Sequence, residues 1–174
     1  MTPLWFRVHG QGVLKETGRP PADSRPLTEA TALLLPPLVT ELHRSFRAWQ
    51  MAGISPAPVT PDRFWIDPAG GLAVRFESGQ HPETLYPVGA QAGLAAWLVL
   101  LDKWVETFVV IARARSVWTT GELAGALSFT TPSLLPTALT SQPPDNWARV
   151  AVALAQAVAD GPLPGLHTDR HWKE

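Results

Sequence analysis

The chain has 174 residues, a length that suits one domain able to bury a sizeable core. It is 45% hydrophobic and only 17% charged, with a net charge of −1, eight Trp and no Cys. Near-neutrality without a basic stripe argues against a nucleic-acid partner, and the absence of Cys excludes disulfides, thiol catalysis and Cys-ligated metal.

Met1 to Gly10 carries Arg7 and His9 and no long apolar run, so it does not read as a signal peptide. Within it, Trp5 to Val8 reads as a short strand, and Lys15 to Pro26 as a Gly/Pro-bearing loop. Residues 1–26 are thus a strand and loop lead-in. Thr28 and Glu29 read as a helix cap and first turn, and Pro36-Pro37 as an interruption of that helix. Beyond it, Leu38, Leu42, Phe46 and Trp49 recur at helical spacing, with Leu35 extending the stripe and Gly53 as the stop.

Pro56, Pro58 and Pro61 stiffen the following loop. Arg63–Asp67 and Leu72–Phe76, joined by Pro68-Ala69-Gly70-Gly71, read as a β-hairpin. Ala90 to Ala112 is apolar nearly all round and predicts a long, buried central helix. Asp102, Lys103 and Glu106 in its middle make a membrane span unfavourable. Thr119 with Glu122 is a capping box, and Thr131-Pro132 reads as the cap and first residue of a short turn. Trp147, Val150, Leu154 and Val158 mark the buried face of a last helix ended by Gly161, before an extended tail over 162–174. The expectation is an α+β domain, predominantly helical, with its body over 27–161 and one hairpin over 63–76.

The order helix, loop, hairpin, hydrophobic central helix over residues 27–112 resembles the C-lobe of a protein kinase. Leu38 to Gly53 resembles the helix before the catalytic loop. Pro61 stands where a kinase has the proline of its Lys-Pro pair, and Asp67 and Gly70 match the hairpin's acidic residue and glycine. With that anchor the resemblance implies that the His-Arg-Asp positions are Pro56, Ala57 and Pro58, and that the Lys is Thr60. It places Arg63 at the metal-binding Asn and Phe76 at the metal-binding Asp, with Glu77-Ser78 following. The Asp that opens the central helix is matched by Gln91 at best. Phosphoryl transfer needs those carboxylates and that amide, and no Gly-rich phosphate loop is present. What the resemblance implies is therefore a degenerate, truncated relative without a magnesium–nucleotide site.

Other groups offer candidate chemistry. His167-Thr168-Asp169-Arg170-His171 has metal-ligand residue types but follows Pro164-Gly165, where a helix is not expected. Asp102 and Glu106, one helical turn apart, are the candidate acid–base pair, against a structural ion-pair network with Lys103, Arg113 and Arg115. No Gly-x-Ser-x-Gly elbow is present. Trp97, Trp104, Phe108 and Trp118 are a core stripe or, where exposed, anchors for a protein partner; Trp97, Trp104, Trp118, Arg113 and Arg115 are the candidate partner-binding set.

Three functions are open at this point. The first is a non-catalytic, cytoplasmic protein-interaction or regulatory module without cofactor or metal. The second is a small enzyme using Asp102 and Glu106, and the third an obligate subunit of a larger complex.

Overall fold

A computed structural model describes residues 3–9, 13–30, 34–77, 79–141 and 146–163. The described residues form an α+β fold in which helices predominate. Strands β1 (Leu4–His9) and β2 (Val13–Thr17) form a hairpin, and β3 is the two-residue Arg25–Pro26. Helix α1 (Pro36–Met51) follows, then β4 (Ile54–Ser55), β5 (Phe64–Ile66), β6 (Leu72–Phe76) and β7 (Glu83–Thr84). The remainder is helical: α2 (Pro87–Asp102), α3 (Thr107–Ala114), α4 (Thr120–Leu127), α5 (Thr137–Thr140) and α6 (Trp147–Asp160).

The expected hairpin is β5–β6, and it is the middle of a larger antiparallel sheet of order β2-β1-β6-β5-β3. Registers Phe6↔Val74 and Phe64↔Val74 line up one buried face, which packs on the helices. Trp5 and Trp65 share the opposite face, edge to face at 4.9 Å between centroids. A separate two-stranded ribbon, β4 with β7, joins the loop after α1 to the segment before α2.

Asp67 shapes the β5–β6 turn by accepting the Ala69 and Gly71 amides on Oδ1, at 2.9 Å each. Gly70 has φ +90°, and a Cβ there would lie 2.6 Å from Glu41 Cβ, so α1 can lie on this turn only over glycine. Ser45 seals the contact by donating to Gly70 O at 2.6 Å.

Several expectations are corrected, the first being that Lys15 to Pro26 is all loop, since β2 runs on to Thr17 and β3 covers Arg25–Pro26. Pro36 and Pro37 start α1 instead of kinking a longer helix, because the first helical positions have no intrahelical acceptor to lose. Leu27–Glu29 is accordingly a single 3-10 turn, with Thr28 exposed, and Leu35 lies outside the buried stripe at 66% exposure. The central helix does not run unbroken to Ala112 but turns a corner over 103–106, giving α2 and α3. Thr131-Pro132 forms a turn closed by the Leu134 and Leu135 amides, and the short α5 begins only at Thr137. Gly53 (φ +70°) and Gly161 (φ +72°) end α1 and α6 as expected. No helix among the described residues is long and apolar enough to cross a membrane.

Candidate functional site

The loop between α1 and β5 is organised around one cation. Arg63 leaves the 3-10 turn Pro61–Arg63 and reaches back under its own loop. Its Nη1 donates to Pro56 O at 2.9 Å and Pro58 O at 2.7 Å, and its Nε donates to Arg75 O at 2.9 Å. The guanidinium carbon lies 4.6 Å from the centroid of the Phe76 ring, within cation–π range. Burial lowers the Arg63 pKa, while Asp62 and Glu77 oppose that shift. A guanidinium starts so high that it stays ionised throughout the range in which proteins fold. Two carbonyls of the proline-rich, irregular loop, Pro56 O and Pro58 O, are thus satisfied by a fixed internal charge that also ties the loop to β6 through Arg75 O. Beside the clamp lies a groove of about 780 Å³ lined by Pro58, Phe76 and the exposed Gln80, His81 and Glu83.

A second polar constellation holds the α2–α3 corner. The Asp102 side chain is fully buried and accepts Asn146 Nδ2 at 2.9 Å and Arg149 Nη2 at 2.6 Å and Nε at 3.2 Å. Thr107 Oγ1 donates to its other oxygen and accepts Arg149 Nε at 2.8 Å. Glu106 points to solvent. The two carboxylates of the candidate acid–base pair therefore do not share a site: one is consumed by structural donors, the other stands outside. The partner of Asp102 is Arg149, not Lys103, Arg113 or Arg115. Sequence spacing does not reveal this, because Arg149 lies 47 positions away.

A third constellation lies in the core. His43 of α1 is fully buried, with Nε2 at 2.9 Å from Val110 O and Nδ1 at 3.0 Å from Trp97 Nε1. A carbonyl only accepts and an indole N–H only donates, so the ring is neutral with its proton on Nε2. Burial pushes the His43 pKa down from 6.5 to about 4, and the Val110 bond offsets this only in part. Trp118 packs edge-on at 5.1 Å and donates to Gln50 Oε1 at 2.8 Å. His43 was not singled out in the sequence, although a lone His beside Leu42, Phe46 and Trp49 is visible there.

The candidate partner-binding residues separate accordingly. Trp97 and Trp118 are 0% and 3% exposed and serve the core, so neither offers its ring to a partner. Trp104 is half-buried against the core, and Arg113 and Arg115 are half-buried, with Arg115 Nη2 donating to Gly161 O at 2.9 Å. Among the described residues, the most exposed aromatic ring is instead Phe108 at 79%, in a small α3–α6 groove that Arg115 also lines. Among the described residues no cluster of three or more His, Cys, Asp or Glu could hold a metal ion. His167, Asp169 and His171 lie outside the described residues.

No family model, no curated protein and no solved structure matches this chain.

Proposed function

We propose that this chain is a non-catalytic protein-interaction or regulatory module of the cytoplasm, built as a shortened, degenerate kinase-like C-lobe. The observation that carries it is the Arg63 clamp. The two positions that the resemblance assigns to metal ligands are Arg63 and Phe76, and they touch each other as cation over ring. A fixed positive charge bonded to the carbonyls of Pro56, Pro58 and Arg75 repels a divalent cation from that place. The order α1, proline-rich loop, β5–β6 hairpin, buried α2 supports the same reading.

For the partner, Phe108 beside Arg115 on α3 supplies the aromatic and Arg chemistry that interfaces favour. The test is a tagged pull-down of the full chain from its native host, with Phe108→Asp alongside. The expected outcome is a partner retained at fixed stoichiometry in moderate salt and lost with Phe108→Asp, whose melting temperature is unchanged. A partner-free monomer, or a rise in melting temperature with magnesium and ATP, overturns the proposal.

A further inference from the structure

The corner between α2 and α3 has one local tie, Thr107 Oγ1 on Asp102, and no local helix breaker. From Leu94 to Ala114 the sequence contains neither proline nor glycine. The backbone keeps helix-like bonds almost to the end of the corner: Lys103 N donates to Leu100 O, and Trp104 N and Val105 N donate to Leu101 O. Glu106, at φ −56° and ψ 135°, leaves helical geometry through ψ, and its side chain makes no capping bond. Apart from that one bond, what holds the bend is remote in sequence: Asn146 and Arg149 on Asp102, and His43 on Val110 O.

Rotating ψ of Glu106 into the helical range fuses α2 and α3 into one helix from Pro87 to Ala114. Those 28 positions (114 − 87 + 1) span about 42 Å. Within a single copy this motion draws α3 off α1 and carries α4 and α6 away from α2, all of which are packed pairs. Val110, Leu123 and Leu154, each at most 1% exposed, would then meet water. Only a second copy offers the surfaces that match them, since those surfaces are this chain's own.

We propose that the chain dimerises by exchanging everything C-terminal to Glu106 between two copies, with Glu106 as the hinge and α2–α3 fused. Exchange of an identical element needs no new interface, and a hinge that switches by one torsion lowers its cost. Asp102 meets Arg149, and His43 meets Val110, across copies in place of within one.

The test uses the full chain refolded from denaturant at high and at low concentration, sized by chromatography with light scattering. As the chain has no Cys, Ala92→Cys with Ala112→Cys takes a spin-label pair. Twenty residues of unbroken helix put that pair about 30 Å apart, and the bend makes the distance shorter. Labelled chains are diluted with unlabelled ones so that only distances within one chain are read.

The expected result is a dimer after refolding at high concentration that shows the long distance, beside a monomer that shows the short one. Thr107→Pro should remove the dimer. Proline suits the first position of α3 and keeps Glu106 extended, while Thr107→Val controls for the lost hydroxyl. Glu106→Ala, at an exposed position, should increase the dimer. A chain that stays monomeric in wild type and Glu106→Ala alike, or a dimer that keeps the short distance, overturns the proposal. The wild-type distance decides the matter even where Thr107→Pro fails to fold.

Discussion

Two of the corners after α2, the one before α3 and the one before α4, are built in opposite ways. The turn before α4 is written into its own residues. Thr119 Oγ1 accepts the Glu122 amide at 3.2 Å, and Glu122 Oε2 accepts the Thr119 amide at 2.7 Å. The corner before α3 has no glycine, no proline and no side-chain cap at Glu106; beyond the local Thr107–Asp102 bond it depends on His43 of α1, on Asn146 and on Arg149 of α6. A corner specified locally forms with its own segment. A corner specified mainly by distant partners depends on their staying in place.

The largest expected effect comes from removing a distant partner. Arg149→Leu leaves the buried Asp102 carboxylate with only Thr107 and Asn146 as donors. A fully buried pair broken this way costs about 3–5 kcal/mol; with Arg149 55% exposed, the lower end, about 3 kcal/mol, is expected. Urea unfolding measures it. Loss of amide-exchange protection in α3 before the sheet would show that the corner opens first. A loss below about 0.5 kcal/mol, the size of an ordinary surface change, would refute the distant-anchor account.

Acid probes the other anchor. The folded His43 pKa of about 4 lies below the unfolded 6.5, so between these values the unfolded chain binds a proton that the folded one refuses. Stability is therefore complete above about pH 6.5 and falls as pH drops toward 4. The loss is at most about 3 kcal/mol at 1.36 kcal/mol per unit. Imidazolium would also set an N–H against the Trp97 N–H, breaking the tie to α2, while the Nε2–H bond to Val110 O in α3 remains. Unfolding midpoints from pH 7 to pH 4, with His43→Gln alongside, check this. The slope should be present in wild type and absent in the variant.

The contrast between the corners also explains what could be read from the residues. The α1 stripe, the β5–β6 turn, the Thr119–Glu122 box and the glycine ends of α1 and α6 depend on neighbours within a few positions, and they were legible. Pro36-Pro37 was misplaced because proline's cost vanishes at a helix start, and no local pattern says which side of the pair the helix lies on. Insertion of β1 between β2 and β6 pairs Phe6 with Val74, 68 positions on (74 − 6), and nothing in either strand names the other. Of the candidate site, Arg63 and Phe76 were singled out only through the kinase resemblance, and their mutual contact was not legible. Trp97 and Trp118 were named as partner anchors because an aromatic stripe looks the same whether helices or a partner cover it.

The smallest effect is expected where the cause is local. Thr119→Ala removes one side of the capping box and should cost about 1 kcal/mol. Glu122 keeps its second partner, Arg47 Nη1 at 2.8 Å, which still ties α4 to α1. Burial raises the Glu122 pKa, but the bonds from Arg47 and Thr119 outweigh it and leave the carboxyl below its ordinary 4.5. A depressed carboxyl contributes stability that is whole above 4.5 and lost as pH falls through its folded value. Its contribution thus begins to fade only at the acid end of the His43 window, below 4.5. Thr119→Ala should lower the urea midpoint modestly at pH 7, with the slope between pH 6.5 and 4.5 unchanged and the monomer–dimer distribution after refolding unaltered. If Thr119→Ala instead shifted that distribution as far as Glu106→Ala does, the two corners would be one cooperative unit, and the division into a local and a distant corner would fail.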